Sequence, residues 1–189
     1  MTNRAHRRAP AASGALALAA LFGVLAGCAP EAEAPSAADS GAPDAAAPAG
    51  DAPDFTHPDL RGEPFRLADH RGRTVVIDFW ATWCAPCVFQ PAELNQVFES
   101  HRERGDLVVV GVEIGGATPQ EVREWGLENE AVADYPVLTG ADEDLARRFG
   151  ALGFPAMVVV SPEGNVDSVT VGLKTAQEVE ESIAHLIGS

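Results

Sequence analysis

The sequence predicts an α/β fold, a central mixed β-sheet flanked by helices, and three observations support it. Two β-branched apolar runs, 73–80 (RTVVIDFW) and 106–114 (DLVVVGVEI), have the composition of buried central strands. A segment with apolar residues at helical spacing separates them. The chain then closes on a strand, a turn, a second strand and a helix.

Between the first two strands, Leu94, Val97 and Phe98 mark one face of a helix that Gly105 closes. The resulting β-α-β unit should have parallel strands and a right-handed crossover. Thr118-Pro119-Gln120-Glu121 supplies the N-cap, first-turn proline and third-position glutamate of a capping box, so a helix is expected to about Leu127. A shorter helix is expected over 142–149, stopped by Gly150. AMVVV (156–160), the turn SPEGN and VDSVTVG (166–172) read as a β-hairpin. Thr175-Ala176-Gln177-Glu178 is a second capping box, and Val179, Ile183, Leu186 and Ile187 form the apolar stripe of the closing helix. β-α-β followed by β-β-α is the order of a thioredoxin fold.

The N-terminal part reads differently. Residues 1–27 combine a basic start (Arg4, His6, Arg7, Arg8) with an apolar stretch too short for a good membrane span, which is the layout of a signal peptide. Residues 28–53 comprise Cys28 and a linker of Ala, Pro, Glu, Asp, Ser and Gly, with no aromatic or branched apolar side chain to build a core. Such a linker would span about 25 to 30 Å as a flexible coil. The folded domain is therefore expected over 54–189. The formal charge of −15 becomes −18 once the three arginines of the signal are lost. So acidic a surface, without a Lys/Arg cluster, excludes a nucleic-acid partner.

Leu25-Ala26-Gly27-Cys28 resembles the bacterial lipobox, which implies cleavage before Cys28, lipidation of its sulfur and a protein held on a bacterial membrane, facing the periplasm or the cell exterior. The domain resembles the extracytoplasmic TlpA/ResA branch of the thioredoxin superfamily through its whole length. APDFTHPDLRGEPFRLADHRGRTVVIDFWATWCAPC is similar to that family's opening, an N-terminal extension running into the active site. GVEI and the helices after it are similar to its central helical insertion, and GFPAMVVVSPEGNV to its closing hairpin.

Cys84 and Cys87 are read as a redox-active disulfide pair. A cysteine where a strand gives way to a helix meets unpaired backbone N–H groups and the positive end of the helix dipole, which stabilise the thiolate that attacks disulfides. Two intervening residues place the second sulfur one helical turn away. Cys84 is thus the nucleophile and Cys87 the resolver, with Pro86 tolerated in the first helical turn. As a structural staple the pair would achieve little, because so small a loop removes little unfolded-state entropy.

Asp78 is a carboxylate inside an apolar strand, six residues before Cys84. Burial should raise its pKa. The resemblance implies that it exchanges protons with the resolving cysteine as general acid and base. Members of the branch often carry a glutamate three residues after the second cysteine; Gln90 stands there and cannot tune the cysteines by charge. Glu113, at the end of the next strand, reads as a surface or loop residue before it reads as an acid. Phe154-Pro155 matches the superfamily's cis-proline position, which implies that the Phe154 backbone pairs with a substrate strand, while Trp83 and Phe154 form an apolar rim around it. Trp80 reads equally well as core.

The implied activity is thiol:disulfide exchange without a cofactor. It would act on protein disulfides, such as those of apocytochrome c, with electrons from a membrane thiol donor. Two rivals share parts of the pattern. A peroxiredoxin-like peroxidase would share the APDFTHPDL opening but use a cysteine in a different local motif. A copper or zinc carrier needs ligands beyond the pair, yet there is no second CxxC, and His57, His70, His101 and His185 are scattered, so no metal site is expected.

Overall fold

The computed structural model describes residues 50–187. The signal peptide, Cys28 and most of the linker lie outside the described residues. A small antiparallel pair opens the domain: β1 (Thr56–Pro58) and β2 (Pro64–Arg66). A 3-10 turn over Leu67–His70 leads into β3 (Thr74–Trp80), all seven residues of which are buried. After the cysteines, a 3-10 turn (Ala85–Phe89) passes into α1 (Gln90–His101), then β4 (Leu107–Glu113) and α2 (Pro119–Glu128). The two-residue β5 (Val137–Leu138) and α3 (Glu143–Arg148) come next. β6 (Ala156–Val160), β7 (Val166–Val171) and α4 (Ala176–Ile183) complete the chain.

The main sheet has the order β5-β4-β3-β6-β7, with β3, β4 and β5 parallel and β6 and β7 antiparallel. It is therefore the mixed sheet of a thioredoxin-like α/β fold. Both capping boxes form: Thr118 with Glu121 and Thr175 with Glu178, each hydroxyl accepting from the glutamate's backbone N–H at 3.3 Å. Alternation along β3 divides the core. Phe79 meets Phe149 at 5.5 Å between ring centroids, while Trp80, on the opposite face, meets Trp125 of α2 at 4.7 Å.

Two features depart from the expected layout. The first turn after Cys84 is 3-10, and the α-helical ladder begins only at Gln90, where Pro91 occupies the first turn without needing a donor. The fold also starts ahead of Asp54. Asp51 forms a bridge with Asn165, Ala52 N–H donates to Gly164 O at 2.9 Å, and Ala52 is buried.

Candidate active site

β3, the central strand, runs into the loop Ala81–Trp83 and so delivers Cys84 to the end of the sheet where β3 and β4 terminate. Cys84 N–H donates to Ala81 O at 3.0 Å and Cys87 N–H to Cys84 O at 3.1 Å, which folds the CxxC into a tight turn. The two cysteines are joined as a disulfide, with their Cα atoms 5.4 Å apart. Cys84 is 6 % exposed and Cys87 only 1 %, so the first sulfur is the more accessible. Cys84 occupies the N-cap of a 3-10 turn, and the α-helical dipole reaches it only through that turn.

Asp78 is 2 % exposed, and its Oδ1 finds no hydrogen-bond partner among the described residues. Burial pushes its pKa from the ordinary 3.8 up to about 7, because the charged form loses its hydration and gains no donor in return. In register it lies beside Gly111 of β4 and Met157 of β6. A Cβ on Gly111 would stand 3.2 Å from Trp80 Nε1 and 3.3 Å from Tyr135 Cε2. The glycine thus leaves room for both rings beside the carboxylate. Buried Tyr135 is held well above its usual range, first by burial and then by the Asp78 charge.

Trp83 is 59 % exposed, and its ring meets that of Phe154 edge-on at 6.1 Å between centroids. The Phe154–Pro155 peptide bond is cis, and Pro155 O accepts from Gly172 N–H at 2.8 Å. Three more apolar side chains are exposed close to these residues in the chain: Phe89, Leu152 and Leu173. Their signal in the sequence is weak, since each is a single apolar residue in a turn or loop.

Gln90 is not a free substitute for a missing acid. It is buried, its amide donates to Lys174 O at 3.0 Å, and its carbonyl accepts from Lys174 N–H at 2.9 Å, tying the start of α1 to the segment before α4. Glu113 requires a correction: it is fully buried, neither at the surface nor in a loop. Its carboxylate accepts from Gly115 N–H at 2.8 Å and Ala117 N–H at 2.9 Å, and the backbone N–H groups of Thr82 and Gly116 also favour its charged form. Burial raises its pKa, against the pull of those donors. Among the described residues no cluster of three His, Cys, Asp or Glu side chains could hold a metal ion, and no helix is long and apolar enough to cross a membrane.

Residues 48–169 match the sequence profile of the AhpC/TSA family. The chain belongs to that family. Its AhpC/TSA domain is similar to the thiol-disulfide oxidoreductase ResA of Bacillus thuringiensis subsp. konkukian, at 26% identity over 129 residues, 67% of this chain and 71% of ResA. The structure is similar to a putative thiol:disulfide interchange protein DsbE from Chlorobium tepidum, with a TM-score of 0.65 and 27% identity, covering 74% of this chain and 97% of that one. An exposed lipoprotein thioredoxin from Streptococcus pneumoniae is also similar, with a TM-score of 0.59 and 25% identity over 71% of this chain and all of that one. With Cys84 and Cys87 bonded at the head of the helical segment, this AhpC/TSA-family protein is a thiol:disulfide oxidoreductase of the ResA/DsbE type, a class whose substrates are protein disulfides.

Proposed function

We propose that the protein is an extracytoplasmic reductase of protein disulfides, tethered to a membrane through lipidated Cys28, and that its clients include cysteine-bearing apoproteins such as apocytochrome c. The observation that carries this reading is the Cys84–Cys87 disulfide in the same strand-loop-helix unit as a buried, unpartnered Asp78. In the reduced protein the Cys84 thiolate attacks one sulfur of a client disulfide. The client's other sulfur leaves as a thiolate and takes a proton. The Asp78 carboxylate then accepts the proton of the Cys87 thiol, and Cys87 attacks Cys84 Sγ. The second client thiolate departs, taking that proton. Two electrons have passed to the client, and a membrane dithiol restores the Cys84/Cys87 pair.

Asp78 suits that transfer because its pKa of about 7 lets it hold and release a proton near neutrality. Trp83, Phe154 and Pro155 form the client-facing rim, with the Phe154 backbone pairing a client strand. The lipoprotein relative supports a tether for this chain as well.

Equilibration of the purified full-length protein with thiol buffers tests the reading. A reversible two-electron couple at the reducing end of the roughly −270 to −120 mV range supports a reductase. An oxidising value recasts the protein as an oxidase or isomerase, and absence of the couple ends the reading. In cells, Cys28→Ala should move the protein from the membrane fraction to the soluble extracytoplasmic fraction and abolish labelling by fatty acid.

A further inference from the structure

The Glu113 carboxylate is more than a buried acid with partners, because it holds the turn after β4 by two hydrogen bonds and also has its charge favoured by an N–H of a second segment. Gly115, Gly116 and Ala117 lie in the turn after β4, whereas Thr82 lies in the loop that carries the cysteines, two residues before Cys84. Ile114 N–H adds a backbone bond to Trp80 O at 3.0 Å on the same seam. Above Gly115 the packing is tighter still. A Cβ there would come within 2.7 Å of Glu113 Oε1 and 2.7 Å of Trp83 Nε1, and 3.0 Å from Ala81 Cβ. Only a residue with no side chain lets the carboxylate and the indole converge on that spot.

The arrangement also explains why an acid stands there. A neutral amide offers backbone donors one acceptor oxygen, whereas the two oxygens of a carboxylate offer about four lone-pair sites, and charge-assisted bonds are roughly twice as strong as neutral ones. The charge has no other evident task in the reaction, because Asp78 is the group aligned on the cysteine strand. Trp83 meets two neighbours. Phe154 meets its ring edge-on, and the Gly115 turn closes on its Nε1.

We propose that Glu113 is a positioning residue for the disulfide-exchange reaction: it clasps the Thr82–Cys84 loop to the turn after β4 and so fixes Trp83 as one wall of the client-binding rim. This rests on the reading of Trp83 as client-facing. Its consequence is a division of labour among the acids. Asp78 acts on the proton of Cys87, while Glu113 acts on the backbone that presents Cys84 and Trp83 to the client.

The test compares the wild type with Glu113→Gln and Trp83→Ala as full-length proteins, by amide hydrogen exchange and by the kinetics of reducing a protein disulfide, with insulin as the probe. Glu113→Gln should speed exchange at Thr82, Gly115 and Ala117 by about tenfold or more, with β3 and β4 amides unchanged. It should also raise KM about tenfold while kcat moves less than twofold, because the cysteine chemistry is untouched. Unchanged exchange at those amides overturns the clasp. Faster exchange with an unchanged KM overturns the positioning role if Trp83→Ala raises KM. If Trp83→Ala also leaves KM unchanged, the client-facing reading of Trp83 falls instead, and the positioning proposal falls with it. Should Glu113→Gln fail to fold, Gly115→Ala disturbs the same convergence from the other side. It must then raise KM with kcat preserved, and an unchanged KM overturns the proposal.

Discussion

Two carboxylates buried in adjacent strands of one sheet meet opposite surroundings. Asp78, in the middle of β3, has an oxygen with no partner, and its pKa is pushed to about 7. Glu113, at the last position of β4, accepts from two backbone N–H groups of the turn that follows it. Burial is equal to within a few per cent, so burial alone does not decide what an acid does. The supply of donors decides it. The middle of a sheet has spent its N–H groups on neighbouring strands, and a carboxylate there is left short of donors. The end of a sheet faces turns whose N–H groups are free, and a carboxylate there finds donors.

The sharpest way to break that contrast is Glu113→Leu, which should destabilise the fold by about 4 kcal/mol, because several buried backbone donors lose their acceptor at once. Urea unfolding measures it, and a loss under 1 kcal/mol would show the donors to be satisfied otherwise. Next in size is the kinetic effect at the other acid. Asp78→Asn should slow resolution of the mixed disulfide by about a hundredfold, or roughly 3 kcal/mol, with accumulation of the Cys84-linked intermediate seen by quenched-flow mass analysis. An unchanged resolution rate would remove the general-base role.

The same substitution sharpens the comparison through stability. Because the folded pKa of Asp78 lies above its unfolded value, the native state binds the extra proton between about pH 4 and 7, and stability falls as pH rises through that window. Asp78→Asn should therefore stabilise the oxidised protein by at most about 4 kcal/mol at pH 8 and by much less at pH 4. A gain independent of pH would contradict the assignment. The smallest effect concerns the neutral residue that stands beside both cases. Gln90→Glu keeps the acceptor for Lys174 N–H but sets an oxygen against Lys174 O, and should cost about 1 to 2 kcal/mol in thermal or urea unfolding.

Most of the architecture was legible because its signals are long and local. β3 and β4 are continuous apolar runs, both capping boxes mark helix starts, and the β6–β7 hairpin has its turn residues in place. β1, β2 and β5 were not legible, since two or three residues are too few for any periodicity to show, and their pairing is decided by tertiary contact. Asp78 announced itself as a charge inside an apolar run. Glu113 did not, because the glycines that follow it read as a turn, and nothing in a linear sequence records that Thr82, thirty-one positions earlier, folds back to the same carboxylate. Gln90 was legible as a departure from a family pattern but not as a bridge, since Lys174 is distant in sequence.

The backbone bridge between Asp51 and Asn165 fixes where the described chain joins the sheet. Asn165 belongs to the turn joining β6 and β7 and precedes Val166, the partner of Val160, which in turn pairs with Val75 at the start of β3, while Cys84 follows the far end of that strand. Seven residues of strand put roughly 20 Å between the two poles. The described chain therefore enters the sheet at the pole opposite the cysteine loop, with the whole length of β3 between the point of entry and the reacting sulfurs.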